Sequence, residues 1–105
     1  MSACMIITTC PNQDEAERLA GQLVSEKLAA CVQISPIQSI YAWDGAIQND
    51  PEYKLTAKTR LDLFKQVEAY ILAHHSYDVP QVIGINIDHG SDDYLNWIMS
   101  ETISE

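Results

Sequence analysis

Residues 31–59, CVQISPIQSIYAWDGAIQNDPEYKLTAKT, take up more than a quarter of this 105-residue chain. Asp44-Gly45 sits near the middle of the stretch, between two runs of strand-forming residues, the pattern of a two-residue type I′ hairpin turn. Each arm then holds about a dozen residues and, at ~3.3 Å per residue, reaches roughly 40 Å. A compact domain of this length has a radius of gyration near ~13 Å and is therefore only ~35 Å across. The hairpin is longer than the body it belongs to, and any fold of this chain has to cover its outer half.

The turn also sets the pairing. A two-residue loop at Asp44-Gly45 puts Trp43 opposite Ala46, which places Val32 opposite Ala57, Ile34 opposite Leu55 and Pro36 opposite Tyr53 on one face. The other face carries Gln33 with Thr56 and Ser35 with Lys54, so the base of the hairpin is half-buried sheet. Toward the tip the alternation fails: Ile40, Ala42 and Ile47 lie on the first face, but Ile37, Tyr41 and Trp43 lie on the second. In a lone chain this would be an exposed apolar patch with open strand edges. The expectation is that Ile37, Ile40, Tyr41, Trp43 and Ile47 bury against other subunits; the competing arrangement is an arm folded back on its own sheet. Pro36 and Pro51 each remove a ladder donor, so edge-like or irregular pairing is expected near them.

Around the hairpin the chain reads as one domain, residues 1–105, without repeats or linkers. ACMIITTC (3–10) is an uncharged β-prone run and a central strand. Asn12 with Glu15 forms a capping box before a helix whose stripe is Ala16, Leu19, Ala20, Leu23, Val24 and Leu28. Thr59 with Asp62 repeats that pattern before a second helix carrying Leu61, Phe64, Val67, Ile71 and His75. A loop at 76–80, an alternating strand at 82–88 and a short helix with Tyr94, Leu95, Ile98 and Thr102 complete the chain. The order β-α-β-β-α-β plus a helix is the ferredoxin-like α+β pattern, an antiparallel four-stranded sheet with both main helices on one face. In it Cys10, the hairpin turn, His74, His75 and the 76–80 loop share one end, the top; Cys31, Lys58, Asp88 and His89 share the bottom.

Fifteen acids against six bases, a net charge of −9, argue against nucleic acid and against anionic membrane surfaces, which need clustered Lys and Arg. An RNA-binding module of this topology needs aromatics and bases on its central strands, and ACMIITTC has neither. No segment approaches the ~18 apolar residues of a membrane helix, and no signal peptide is expected at the N-terminus. Three cysteines without CxxC spacing point to a reducing, cytoplasmic compartment.

For chemistry, no nucleophile with a local base is visible, and an acylphosphatase-like hydrolase would need an arginine and an anion cradle beside the first strand's end. Lys58, His89, Tyr94 and Trp97 gather toward the bottom and are expected to line a small-molecule groove completed by a neighbouring chain. His75, Tyr77 and Trp43 form a similar set at the top. Metal-ligand spacings such as HxxxH are absent, and adjacent helical residues such as His74 and His75 point about 100° apart.

With hairpin and tail read, the sequence resembles the divalent-cation tolerance (CutA) family in EKLAACV (26–32), SIYAWDGAI (39–47), KT (58–59), HHSYDVP (74–80) and HGSDDYLNWI (89–98). The resemblance spans nearly the whole chain in order. It implies a ferredoxin-like fold, a homotrimer built around the long hairpins, a kinship in shape to PII signalling proteins, and a link to tolerance of copper and other divalent metals. Copper ligation in the family has been proposed at a cysteine late in strand one, the first His of the HH pair and an acid after the loop proline. The matching positions here are Thr8, His74 and Gln81. Only the histidine agrees, although Cys10 shares Thr8's face of the strand, so His74 and Cys10 from neighbouring chains are the expected copper ligands.

Overall fold

Asp44 and Gly45 have φ of 52° and 76°, the left-handed pair that a type I′ turn requires. The structure, a computed structural model, describes residues 2–103. Its elements are β1 (Ala3–Cys10), α1 (Gln13–Ser25), β2 (Cys31–Trp43), β3 (Ala46–Arg60), a 3-10 turn (Leu61–Leu63), α2 (Phe64–His74), β4 (Ile83–Ile87) and α3 (Asp92–Ser100). The sheet order is β2-β3-β1-β4, every pair antiparallel, the ferredoxin-like arrangement.

The hairpin register is the one the turn dictates: Trp43 faces Ala46, Pro36 faces Tyr53, and Val32 faces Ala57. Pairing runs unbroken through both prolines, where irregularity was expected. Hydrogen-bonded and non-hydrogen-bonded pairs alternate away from a two-residue turn, beginning with a bonded pair at Trp43 and Ala46. Gln38–Pro51 and Pro36–Tyr53 both fall on non-bonded pairs. The missing proline N–H groups are therefore ones the ladder does not use. β1 reaches only to Cys10 opposite Tyr53, so residues 37–52 of the hairpin pair with each other alone. The molecule is 44 Å along its longest axis against 25 and 21 Å across.

Cys4, Ile6, Leu55 and Ala57 from the sheet pack with Ala16, Leu19 and Leu23 of α1 and Val67 and Ile71 of α2 in one core. On the other face Ile98 of α3 packs on Ala3 and Ala30 at the lower end, and at the upper end Thr9 and Glu52 are buried, Glu52 beneath the Tyr77 hydroxyl. Above α3, Ile83 and Ile85 of β4 stay exposed, beside their cross-strand partners Ile7 and Met5.

Four local expectations change. Thr59 does not cap the second helix; it lies in β3, and its buried hydroxyl donates to the Leu28 carbonyl at 2.6 Å, tying β3 to the loop after α1. Leu61 is exposed and precedes α2 in the 3-10 turn, while Val24 faces solvent rather than the core. Leu28 lies past the end of α1, in a Schellman motif: its N–H reaches the Leu23 carbonyl at 3.0 Å, and the Lys27 N–H reaches that of Val24 at 3.0 Å. Lys27 holds the left-handed position at φ 59°, where glycine carries no Cβ penalty. Lys27→Gly is accordingly expected to stabilise the fold by about 0.5–1 kcal/mol in urea denaturation; a loss of stability would show that the lysine side chain matters more than its backbone strain.

Candidate functional site

At the top of the sheet α2 ends at His74, and extended backbone at His75 (φ −92°, ψ 146°) turns the His75 side chain inward, where it has no exposed surface. His75 Nε2 lies 2.7 Å from the Thr9 carbonyl oxygen, and the Tyr77 N–H donates to Nδ1 at 3.0 Å. A carbonyl only accepts and an amide N–H only donates, so the ring is the neutral Nε2–H tautomer. Glu15 completes the surroundings. The Asn12 side chain caps the Glu15 N–H at 2.8 Å as expected, but the buried Glu15 carboxylate turns to the α2 exit. There it accepts from the Ser76 N–H at 3.3 Å and lies 3.6 Å from His75 Nδ1. Cys10 Sγ is 3.9 Å from His75 Nε2. Burial, then the nearby Glu15 and Glu52 charges, push the Cys10 thiol up to about 11.

Cys10, Glu15 and His75 thus present sulfur, oxygen and nitrogen ligand atoms within 4.8 Å of one another, a donor set suited to a soft or borderline cation. The fit is conditional. The nitrogen facing Cys10 carries a proton held by Thr9, while the nitrogen nearer Glu15 accepts from Tyr77. Ligation would have to release the thiol proton and one of these ring contacts, and binding would be coupled to proton release.

His74, the histidine expected to join Cys10, lies on the outside. Its ring stacks on Tyr70 at 4.0 Å, and Nδ1 donates to the Tyr70 carbonyl at 2.9 Å. Within one chain the structure brings Cys10 to His75 and not to His74, because α2 ends between the two. Thr8 is buried, and its hydroxyl has no hydrogen-bond partner among the described residues.

Beside this cluster the overhanging hairpin and the segment after α2 enclose a cleft of about 480 Å³ lined by Thr9, Tyr41, Trp43, Glu52, Tyr77 and Asp78, among others. The Tyr77 hydroxyl donates to Glu52 at 2.7 Å, and that of Tyr41 to Asp50 at 2.8 Å. Burial first, then the bond to Glu52, raises the Tyr77 pKa well above the usual phenol range. Tyr77 and Trp43 were legible as a top-end set. Glu15 and Glu52 were not: one reads as a helix cap, the other as a surface acid on a strand.

At the bottom, three of the four expected groove residues meet. Lys58 Nζ donates to the Tyr94 hydroxyl at 3.4 Å and lies 5.4 Å from that ring's centre, while Tyr94 and Trp97 are 5.6 Å apart. His89 is exposed and has no hydrogen bond, ion pair or ring contact among the described residues. A separate cleft of about 490 Å³ at this end is lined by residues including Asn86, Asp88, Asp92 and Asn96, and by none of the four.

Residues 4–101 match the family described as CutA1 divalent ion tolerance protein. The chain is 44% identical over 99 residues to the chloroplastic protein CutA of Arabidopsis thaliana, covering 93% of this chain and 54% of that protein. It is 42% identical to the divalent-cation tolerance protein CutA of Archaeoglobus fulgidus, over 93% of this chain and 95% of that one. The chain spans about half the length of the chloroplastic relatives. Among solved structures, CutA1 from Oryza sativa superposes with a TM-score of 0.97 at 42% identity, covering 100% of this chain and 97% of that one. No helix among the described residues is long and apolar enough to cross a membrane.

Two outcomes follow from the His75 geometry. His75→Ala leaves the Thr9 carbonyl and the Tyr77 N–H without their partner, at ~1–3 kcal/mol for each unsatisfied buried group, so a loss of at least about 2 kcal/mol is expected in urea denaturation. A loss well below 1 kcal/mol would show that the ring is not holding these groups. With burial and raised pKa values at both thiols, Cys4 and Cys10 are expected to resist a thiol reagent at pH 8 in the folded protein and to react once it unfolds. Peptide mapping that finds Cys10 labelled rapidly in the native state would contradict this.

Proposed function

The chain belongs to the CutA1 divalent ion tolerance family, and on that premise we propose that it is a homotrimeric, non-catalytic protein of divalent-cation tolerance that binds its cation, copper foremost, around Cys10. The descriptions of the family and of its relatives name divalent-cation tolerance and no reaction. The observation that supports a cation site is the sulfur, nitrogen and oxygen set at Cys10, His75 and Glu15. His74 is the second nitrogen source: its Nδ1 is engaged by Tyr70 and its Nε2 has no partner among the described residues, so it is open to a cation shared with a neighbouring chain. The free thiols suit a cytoplasmic, reducing compartment.

Assembly rests on the overhang. Ile40, Trp43 and Ile47 are 69%, 58% and 75% exposed in the single chain, and Tyr41 is also exposed; Ile37 lies on the same face as Tyr41 and Trp43. Apolar groups of this size at a free strand edge are a surface that another copy covers. The exposed Ile83 and Ile85 extend it down the open sheet face. A small ligand at clefts between subunits, as in a PII-like signalling protein, is the second reading, supported by the cleft at Tyr77 and by the Lys58, Tyr94 and Trp97 cluster, to which His89 would be brought by a neighbour.

Cu(I) titration against a competing chelator tests the cation site. Cys10→Ser is expected to weaken binding by about tenfold or more, and the larger of the losses in His74→Ala and His75→Ala identifies the nitrogen ligand. Unchanged affinity in Cys10→Ser rules this site out. For the assembly, light scattering at micromolar concentration is expected to give a trimer for the wild type and smaller species for Tyr41→Asp with Trp43→Asp; an intact trimer in that variant would mean that the tip is not the contact.

A further inference from the structure

We propose that the cleft between the hairpin overhang and the segment after α2 is a binding site for a small organic cation, an amine or quaternary ammonium group held against Glu52 and caged by Tyr41, Trp43 and Tyr77. The proposal does not rest on the cation-tolerance reading; it rests on the second reading, a small ligand in this cleft, and names that ligand's chemistry.

The charge of the lining is one-sided. Glu52 and Asp78 line the cleft together with three aromatic rings, and no Lys, Arg or His does. Asp50 stands behind Tyr41 at 2.8 Å. Glu52 is only 8% exposed, and one of its oxygens takes the Tyr77 hydroxyl. Its other oxygen has no hydrogen-bond partner among the described residues. Lys54, two residues along β3 on the same face, makes no ion pair with it. That second oxygen is not among the buried unpartnered atoms, so it keeps access to solvent, where a donor on a ligand can replace water.

The rings choose the kind of donor. Their faces attract cations, most strongly when the cation carries alkyl groups and sheds its water easily. A small hard divalent ion needs about six oxygen ligands, which two lining carboxylates among aromatic groups do not supply. An anion is excluded by the same two carboxylates. The cavity, at about 480 Å³, is within the size range of small-molecule sites. Tyr41 and Trp43 also belong to the surface proposed to meet a neighbouring copy, so the proposal requires that the cleft beside Glu52 stays open in the assembly.

The test is isothermal titration of the full chain with tetramethylammonium chloride and with spermidine, against sodium chloride at equal ionic strength, with assembly followed by light scattering. Saturable binding with a dissociation constant of about a millimolar or tighter is expected, with the two probes competing. Glu52→Gln, which keeps an acceptor for Tyr77, is expected to weaken it about tenfold, Trp43→Leu about threefold or more, and Glu17→Gln on the exposed face of α1 not at all. If Glu52→Gln perturbs folding or assembly, Asp78→Asn and probe-induced NMR shifts at the Trp43 and Tyr77 side chains in the wild type replace it. Heats no larger than those of sodium chloride, losses equal in Glu17→Gln and Glu52→Gln, or wild-type shifts that spare Trp43 and Tyr77 would each overturn the proposal. A trimer that fails to form while the probes still bind would separate this site from the assembly reading.

Discussion

Thirteen cross-strand pairs between β2 and β3 hang on the two left-handed residues of one turn. With a side-chain period of two, a slip of one residue would exchange the faces of β2, moving Gln33 and Ser35 toward the core and Val32 and Ile34 out of it. It would also put Pro36 on a hydrogen-bonded pair, where it would leave a ladder acceptor without its donor. Turn, face pattern and proline phase therefore specify the same register independently. β3 lies between β2 and β1, so this register also places the sheet's central strand and, through Thr59 and the Leu28 carbonyl, the end of α1.

The top of the sheet is organised around a different kind of constraint. His75 is a buried polar ring whose two nitrogens meet backbone groups from β1 and from its own loop. Glu15 joins them from the first turn of α1. Three chain segments distant in sequence are pinned at one point, and Tyr77, held by that pin, carries its hydroxyl to Glu52 on the hairpin. The same contacts that fix the loop also shape the cleft, because Tyr77 bonds to His75 through its N–H and to Glu52 through its hydroxyl.

Apolar surface is divided unevenly. One sheet face is closed by α1 and α2 within the chain, the other by α3 at its lower end and by Tyr77 over Glu52 at its upper end. What stays open, the β4 isoleucines and the hairpin tip, is covered by no element among the described residues. This is why the outer half of the hairpin follows strand pairing but not core packing.

Element order, the hairpin and its register, the Asn12 cap and the family were legible in the sequence, because each depends on neighbours in the chain or on a periodicity that survives any tertiary context. The second helix cap was misread because Thr59 is drawn into a tertiary hydrogen bond with the α1 exit, which outweighs its local capping preference. The pairing of Cys10 with His75 rather than His74 turns on where α2 ends, and a shift of one residue there rotates a side chain by about 100°. Glu15 and Glu52 acquire their roles only when segments dozens of residues apart meet, and nothing in their own neighbourhoods carries that information. Local sequence determined which strands and helices form and how the hairpin pairs; tertiary packing alone decided which polar groups were buried together, because burial and its hydrogen-bond demands arise only once distant segments exclude water from the same place.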